Sequence, residues 1–475
     1  MKQRLINIVA NTFFIAFVLF AIVLLFIPKG LFQKFNIDPV SRKIIDKGDY
    51  FFYRDLDNDG TSEIIRRYID RAGMNAMNVY LYDGTIVDQF NFGRKTEINY
   101  LLFDSDRDKN GLKEVYDLSY SNDSIFLNWV EPLNKSDNIT HSVFVTTMEY
   151  NHYGNIDFPG RNFMIADLNN DGYNEIVFAV NGGYSKFPRK VFAYDFINDT
   201  LFSSPFTGAK SFITEIKDIN NDGYVEIILK TAANANISLN DSILDDEHSY
   251  LMVLDHNLNF LFKPVPFFGY PSSLSLVAAE VDGRWVLIGF FSLAGKNGES
   301  QKFVMYDNKG NEIKHIDVPG RNYRMFRSKT DSSTFILFGG DNRNVRFFDN
   351  KLNEKQSFPI IRNSNRGQAD LNDDGKFEWI GYGDDQQTVF VYTHDFTYST
   401  TIKIPVPGHY DYCFKFSKVK SKEKGLFHVQ KDEYNFIYKY YKNKYYYLKF
   451  PFYFGIYLFL LLIVFIIQKD RKSVV

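Results

Sequence analysis

Five acidic loops with one shared spacing are the residues of this chain best suited to do chemistry. Each reads Asp, x, Asp or Asn, x, Asp or Asn, Gly, x, x, Glu, and the first Asp falls at residues 55, 106, 167, 218 and 370. Side chains at positions 1, 3 and 5 of a tightly curled loop converge on one point, and Gly at position 6 permits the positive φ that closes the curl. A backbone carbonyl at position 7 and the carboxylate at position 9 complete a cage made of oxygen atoms.

An oxygen cage in a flexible loop suits Ca²⁺ better than zinc or copper. Three or four carboxylates packed together also repel one another unless a cation neutralises them. We therefore predict up to five calcium sites. The predicted ligands, in which the residue at position 7 acts through its carbonyl, are Asp55, Asp57, Asp59, Thr61 and Glu63; Asp106, Asp108, Asn110, Leu112 and Glu114; Asp167, Asn169, Asp171, Tyr173 and Glu175; Asp218, Asn220, Asp222, Tyr224 and Glu226; and Asp370, Asn372, Asp374, Lys376 and Glu378.

Two other interpretations of these loops can be compared with the calcium site. An EF-hand loop begins similarly but places a bidentate Glu at position 12. Four of the five copies have a residue there that cannot ligate through a carboxylate, namely Arg66, Phe178, Leu229 and Gly381. The EF-hand is therefore rejected. A polar surface turn would explain any single copy, but five copies with Gly and Glu fixed on a shared period argue against it.

The loops belong to a longer repeat. Successive copies are separated by roughly fifty to sixty residues, and the last interval is close to three such periods. Acid-free copies of the frame fill the gap at 280–289 and 328–337, and a weaker one covers 416–429. Apolar runs closed by Asp recur once per unit and predict hairpin turns between two strands. These runs end at Asp83, Asp195, Asp255, Asp307 and Asp349.

Each unit is therefore predicted to contain four strands. In the first unit we expect them near 49–55, 63–69, 76–83 and 85–92, with the acidic loop joining the first two. Repeats of about 40–50 residues with four short strands are typical of propeller blades. The predicted fold is all-β, a β-propeller of seven or eight four-stranded blades with one transmembrane helix at each terminus. A solenoid is the alternative, but it would leave exposed terminal edges, whereas a closed ring protects them.

The acidic loop, its place before a second strand and the repeat period resemble the FG-GAP or VCBS repeats of integrin α-subunit propellers and of bacterial envelope proteins. The resemblance covers about residues 50–445 and is specific at the five acidic loops. It implies a calcium-binding β-propeller that binds ligands or partners instead of catalysing a reaction, with no metal in the acid-free units. A propeller held by helices at both ends also resembles the sensor half of a bacterial transmembrane receptor.

Long uncharged segments at both ends predict membrane helices, because about 20 apolar residues cross the hydrocarbon core. Basic residues precede the first segment and follow the second, so the positive-inside tendency places both terminal tails in the cytoplasm. A single cysteine, Cys413, in so large an exported segment favours a bacterial inner membrane with the propeller in the periplasm or another extracytoplasmic space. The predicted layout is a tail at 1–4, a transmembrane helix at 5–28, a linker at 29–48, the propeller at 49–449, a transmembrane helix at 450–468 and a tail at 469–475.

Composition limits the functions that remain. Lys plus Arg total 55 and Asp plus Glu total 57, so no basic excess exists to bind nucleic acid. One cysteine excludes an intrachain disulfide framework and cysteine-based metal clusters. The eight histidines show no paired metal spacing, and no nucleophile elbow or phosphate loop is present, so we expect no enzyme.

The predicted function is a membrane-anchored calcium-binding propeller that binds an extracytoplasmic protein or glycan in signal sensing or envelope interaction. Its output would pass to a signalling partner through the membrane helices. A calcium-dependent polysaccharide lyase and a structural adhesion protein are the alternatives. The irregular segment 232–248 is the candidate recognition loop, and a solvated linker is the other interpretation of it.

Overall fold

In a computed structural model the chain is mostly β, with one helix at each end. The structure describes residues 11–473 except 29, 97–101, 138, 158–159, 238–243, 296–297, 321–322, 340–343, 360–362, 373, 384, 386, 406–412, 418–425 and 432, and every structural statement below concerns those residues. The predicted tail at 1–4 and the first part of the predicted helix at 5–28 lie outside them.

The strands fall into eight successive antiparallel units of four. Units 1 to 4 comprise β2 (Tyr50–Arg54), β3 (Glu63–Ile69), β4 (Asn75–Tyr80) and β5 (Ile86–Asn91); β6 (Phe103–Ser105), β7 (Glu114–Ser121), β8 (Ser124–Val130) and β9 (His141–Thr147); β10 (Gly160–Ala166), β11 (Glu175–Asn181), β12 (Arg189–Asp195) and β13 (Thr200–Ser203); and β14 (Lys210–Lys217), β15 (Glu226–Ala233), β16 (His248–Leu254) and β17 (Val265–Phe268).

Units 5 to 7 comprise β18 (Ser272–Val281), β19 (Arg284–Gly295), β20 (Gly298–Asp307) and β21 (Glu312–Asp317); β22 (Tyr323–Arg327), β23 (Phe335–Gly339), β24 (Asn344–Phe348) and β25 (Glu354–Pro359); and β26 (Asn363–Ala369), β27 (Glu378–Gly383), β28 (Thr388–Tyr392) and β29 (Ser399–Lys403). Unit 8 comprises β30 (Cys413–Ser417), β31 (Leu426–Lys431), β32 (Tyr434–Lys442) and β1 (Phe35–Ile44). Units 4 and 5 are joined into one sheet because β15 pairs with β18 as well as with its own neighbours.

The second and third strands of each unit are buried because their side chains meet neighbouring sheets on both faces. All seven residues of β11 are buried, which fits its nearly continuous apolar run. Seven hydrophobic clusters each join two successive units, from units 1 and 2 to units 7 and 8. Between units 3 and 4, for example, Val177 and Val191 share a cluster with Leu229 and Met252.

Unit 8 closes the ring by contacts with unit 1, and these contacts are polar. Gln430 accepts a hydrogen bond from the Phe51 amide at 3.1 Å and donates one to the Asp49 carbonyl. Asn435 donates to the Tyr53 hydroxyl at 2.8 Å. The circle of sheets confirms the predicted β-propeller.

The N-terminal strand corrects one sequence prediction. The segment 29–48 was expected to be a linker, but Phe35–Ile44 is β1, which pairs with β32 from Phe35↔Lys442 to Ile44↔Tyr434. A strand from the chain start thus completes the last unit. In unit 1 the four predicted strands are confirmed within a few residues, and the acidic loop joins β2 and β3 as expected.

Two apolar helices lie side by side at the ends of the chain. Helix α1 (Thr12–Leu24) and helix α2 (Lys449–Ser473) contact each other through the edge of the Phe20 ring against Tyr457, with ring centroids 5.8 Å apart. A single 3₁₀ turn, Tyr446–Leu448, precedes α2. Of the described helices, only the continuous segment Tyr446–Lys469 is long and apolar enough to cross a membrane, and α1, with 13 residues, is shorter than such a span.

Candidate metal centre

The acidic loops connect the first and second strands of units 1, 2, 3, 4 and 7. Consecutive strands run antiparallel, so these connections and those between third and fourth strands lie on one rim of the ring. The frames at 280–289 and 328–337 occupy the same connection in units 5 and 6. In unit 8 the residues between β30 and β31 lie outside the described ones. Seven of the predicted frames therefore share one structural position.

One hydrogen-bond frame recurs in all five acidic loops. The amide of Gly at position 6 donates to Oδ2 of the Asp at position 1, at 2.9–3.1 Å. Each of these glycines has a φ between 78° and 93°, as the sequence analysis required. The pairs are Gly60 with Asp55, Gly111 with Asp106, Gly172 with Asp167, Gly223 with Asp218, and Gly375 with Asp370.

The glutamate at position 9 begins the second strand and turns back into the loop. Its Oε2 accepts a hydrogen bond from the amide at position 2, at 2.7–3.2 Å in all five copies. All five glutamates are buried. The oxygen at position 5 accepts from the amide at position 7, at 2.6–2.9 Å, which fixes the direction of that peptide. The bonded residues at these two positions are Asp59 and Thr61, Asn110 and Leu112, Asp171 and Tyr173, Asp222 and Tyr224, and Asp374 and Lys376.

Several loop oxygens are buried and have no hydrogen-bond partner. These are Oδ1 of Asp55, Oδ1 of Asp106 and Oδ1 of Asn372. A buried acceptor without a donor costs free energy, so few such groups persist in folded proteins without an explanation. A cation would supply the missing interaction. In the first loop, oxygens of Asp55, Asp57 and Glu63 also lie within 4.8 Å of one another.

The electrostatics of the glutamates agree with a missing positive charge. Burial, together with a smaller repulsion from nearby aspartates, raises the pKa of Glu63, Glu175, Glu226 and Glu378 to about 7. The amide at position 2 opposes this rise but does not cancel it. Without a cation, each of these carboxyl groups is therefore half-protonated near neutral pH.

The second loop differs because it contains its own cation. Nε of Arg107, at position 2, donates to Oε1 of Glu114 at 2.8 Å. Burial still raises the pKa of Glu114, but the Arg107 guanidinium opposes the rise. The sequence analysis treated this loop like the others, since position 2 is not a ligand position. We expect a metal ion to compete with Arg107 there.

Two carboxylates outside the motif join the candidate sites. Oxygens of Asp171, Glu175 and Asp195 lie within 4.8 Å of one another, and Asp195 is the last residue of β12. In unit 2, Glu131 accepts a hydrogen bond from Asn110 at 2.9 Å. The run that ends at Asp195 was interpreted only as a hairpin turn, and its carboxylate does accept the amides of Ile197 and Asn198. The predicted position of Asp195, at the same rim as the acidic loops, was the feature of the sequence that could have indicated a second role as a metal ligand.

The donors fit Ca²⁺ in chemistry. They are carboxylate, amide and carbonyl oxygens, in a loop whose fixed frame leaves some of those oxygens without donors. Position 3 differs from a simple oxygen ligand in three loops. There the side-chain amide nitrogen of Asn169, Asn220 or Asn372 donates a hydrogen bond to the glutamate at position 9. Of the other predicted ligands, Asp57 and Asp108 accept the amide at position 5 of their own loop.

The candidate recognition segment 232–248 is only partly described, because 238–243 lie outside the described residues. Its flanks are anchored. Arg189 and Asp246 form a fully buried ion pair at 2.8 Å, and Asp246 accepts the amides of Asn234 and Asn236. This anchoring does not fit a freely solvated linker for the described part.

The chain was compared with known families, proteins and structures. No protein-family model matches the sequence, and no curated protein matches it. Solved structures with a similar course of the chain include the rhamnogalacturonan lyase YesW (TM-score 0.47, 14% identity, covering 86% of this chain and 76% of the other) and BBS1N in complex with ARL6DN (0.39, 9%, 85% and 96%). A third is the Dos1 propeller (0.37, 8%, 85% and 95%). At these levels of similarity the comparisons carry no argument about function.

Proposed function

We propose that this chain is a membrane-anchored, calcium-binding, eight-bladed β-propeller that binds an extracytoplasmic protein or glycan and is not an enzyme. The observation that carries the proposal is the single hydrogen-bond frame repeated in five loops. That frame fixes one oxygen of the first aspartate and one of the glutamate in all five loops, and in the loops of units 1, 2 and 7 another oxygen is buried without a donor. The eight blades correspond to the eight four-stranded units, with β1 completing the last.

Calcium would be held by the residues at positions 1, 3, 5, 7 and 9 of each loop. When bound, it would neutralise the clustered carboxylates and join the first strand of a blade to the second. The sites in units 1, 3, 4 and 7 are the stronger candidates, because the loop of unit 2 already contains Arg107. The alternative of a polar turn without metal leaves the partnerless oxygens unexplained.

Membrane anchoring is supported by the surfaces of the two helices. Phe13 on α1 and Phe459 on α2 are each 62% exposed, and other large apolar side chains of both helices are exposed too. Such surfaces are unfavourable in water and favourable in lipid. The Thr12 hydroxyl donates to Gln468 at 2.5 Å, so the helices also contact each other at the ends remote from the propeller.

The topology indicates which rim would meet a ligand. β1 begins and β32 ends on the rim that carries the acidic loops, so both helices leave the propeller there. In a membrane-anchored chain the calcium loops would face the lipid. The opposite rim, formed by the other connections, would face away and be accessible to partners. It includes the described parts of the segment 232–248, and Tyr184, which is 70% exposed.

The test is the melting temperature of the full chain in detergent with excess Ca²⁺, excess Mg²⁺ or excess chelator. We expect a clear rise with Ca²⁺, because a ligand that binds only the folded state stabilises it by mass action. Mg²⁺ should produce a smaller rise, since it requires a tighter octahedral site. An equal melting temperature in all three conditions would contradict the proposal.

A further inference from the structure

A cavity lies where the propeller meets the two helices. Its volume is about 300 Å³, and it is bounded by the segment before β1, by blade 7 and by the start of α2. The side chains that matter for the argument are Phe32, Lys34, Tyr398, Tyr440, Lys449 and Tyr453.

The walls of the cavity are fixed by hydrogen bonds and ring contacts. The buried Asn443 donates its side-chain amide to the Leu31 carbonyl at 2.8 Å and its main-chain amide to the Lys34 carbonyl at 2.9 Å. Phe32 packs against Tyr453 with ring centroids 5.4 Å apart. The junction therefore holds the cavity in one shape, which lowers the entropic cost of filling it.

Two ammonium groups line this cavity without a carboxylate partner among the described residues. Nζ of Lys34 lies 4.1 Å from the centroid of the Tyr398 ring, and Lys449 is exposed at the first residue of α2. Tyr398 and Tyr446 contact each other through their hydroxyls at 3.1 Å. Together these groups, all of which line the cavity, offer two positive charges and one free phenolic proton to one anion.

The acidic groups nearby are already engaged or belong to a metal loop. Asp38 accepts a hydrogen bond from the Tyr441 hydroxyl at 2.7 Å. Asp374 and Glu378 act electrostatically on Tyr440, but they lie in the fifth acidic loop, where Ca²⁺ would neutralise them. The cavity thus has an excess of positive charge.

The surface beside the cavity continues as apolar side chains of the helix start. Tyr447, Leu448 and Phe450 are all exposed, and Phe450 is 80% exposed. Lysines and tyrosines next to such a surface are typical of the level of the lipid headgroups. An anion in the cavity could therefore be attached to chains that lie along α2.

We propose that this cavity binds the phosphate headgroup of one anionic phospholipid, whose acyl chains lie against the apolar start of α2. The inference rests on the proposed membrane anchoring. Lys34 and Lys449 would contact the phosphate. The hydroxyls of Tyr398 and Tyr446 are bonded to each other, so the tyrosine that accepts in this pair would donate its own proton to the phosphate. The bound lipid would hold the propeller in one orientation above the membrane.

The test uses the full chain purified in detergent and titrated with phosphatidylglycerol or phosphatidylcholine, with bound lipid counted by native mass spectrometry. We expect one retained phosphatidylglycerol, and about fivefold weaker retention in each of K34Q and K449Q, since one basic residue near a lipid surface contributes on that order. K444Q is the matched control, because Lys444 lies at the same boundary but does not line the cavity. It should leave retention unchanged.

Other outcomes overturn the inference. Equal retention of the two lipids would show that the charge of the headgroup is not recognised. Equal loss in K444Q and K34Q would show only a general attraction between charges. Displacement of the lipid by inorganic phosphate at similar concentration would make the cavity a site for a soluble anion. Carbonate extraction of cell membranes distinguishes failure of the membrane anchoring from failure of the lipid site. A chain released by carbonate refutes the anchoring, whereas a retained chain without lipid selectivity refutes only the lipid site.

Discussion

The side-chain amide of Asn170 donates a hydrogen bond to the carbonyl oxygen of Gly223, 2.9 Å away. The donor is position 4 of the third acidic loop, and the acceptor is position 6 of the fourth. Asn58 makes the same contact with Gly111, at 3.3 Å, and Lys109 makes it with Gly172, at 2.8 Å. The first four acidic loops are therefore linked in series along one rim, with one side-chain hydrogen bond between each successive pair.

This link predicts coupling between calcium sites. Asn170 has a φ of 61°, so N170G removes the amide while keeping a backbone that glycine adopts easily. We expect the variant to lose about 1 kcal/mol of coupling free energy between the two calcium sites. The affinity of the neighbouring loop for Ca²⁺, measured by calorimetric titration, should then fall roughly fivefold. N221G is the matched control: Asn221 has the same position and a φ of 61°, but its side chain has no hydrogen-bond partner in the described part of the chain. Equal titration curves for both variants would refute the coupling.

Removing one ligand should remove one site. In E226Q the amide oxygen can still accept the Ile219 amide, which Glu226 now accepts at 2.8 Å, but the charge is lost. At a Ca²⁺ concentration about 100 times Kd we expect the variant to lose about 2–3 kcal/mol of calcium-dependent unfolding free energy. D282N, in unit 5, where the shortened loop lacks the set of five ligand positions, should lose none. The measurement is chemical denaturation with and without chelator, and an unchanged calcium increment in E226Q would count against this site.

The buried glutamates predict a pH dependence with a defined sign. Their folded pKa of about 7 lies above the ordinary value of 4.5, so the metal-free folded state binds more protons than the unfolded state between these values. The metal-free protein should therefore lose stability as the pH rises from about 4.5 through 7. The stabilisation by Ca²⁺ should increase over the same window, because Ca²⁺ requires the carboxylate. Denaturation curves across this range check both trends, and a calcium increment independent of pH would contradict them.

Arg107 should weaken the second site while stabilising the metal-free loop. Without calcium, R107Q leaves the buried Glu114 unpaired and should lower the unfolding free energy. With calcium, the competing charge is gone, and we expect roughly fivefold tighter binding at this loop, about 1 kcal/mol. R346Q breaks an ion pair with a more exposed carboxylate, Arg346 with Glu354 at 2.7 Å, away from the acidic loops. It should lower stability equally with and without Ca²⁺, and the same behaviour in R107Q would refute the competition.

The contacts between units 8 and 1, which close the ring, should weaken in acid. His428 stacks on Tyr53 with ring centroids 3.6 Å apart, and burial lowers its pKa to about 3. Below its ordinary value of 6.5 the unfolded state takes up a proton that the folded state excludes, so the contribution of His428 to stability falls as the pH drops from about 6.5 towards 3. This slope is opposite in sign to that of the glutamates in the metal-free loops. The loss is at most about 1.4 kcal/mol per pH unit. H428Q should remove this slope, and H152Q, at an exposed histidine, should keep it. Equal slopes for the wild type and H428Q would contradict the assignment.

The sequence predicted the features that depend on local pattern. The acidic loop and the apolar run that ends at Asp83 located the strands of unit 1, and Gly60 in that loop has the positive φ that the spacing predicted. The turn aspartates also behave as expected, since Asp307 accepts the amides of Lys309 and Asn311. These features could be predicted because all their contacts lie within a few residues along the chain.

Features that depend on distant contacts could not be predicted in this way. The pairing of β1 with β32 joins residues at opposite ends of the chain, and no local pattern indicates it. Arg107 interacts with Glu114 because position 2 of this loop happens to be a long cation, and Asp195 reaches the third loop only through the sheet. The same holds for the bonds between loops, whose partners lie roughly one repeat apart.

The most direct test of the central claim is the number of calcium ions bound per chain at equilibrium. The full chain in detergent would be dialysed against calcium-buffered solution and the bound metal measured by elemental analysis. We predict at least four ions per chain, from the loops of units 1, 3, 4 and 7, and one fewer in E226Q. A chain that binds no calcium at millimolar concentration while its sheets remain folded would contradict the account.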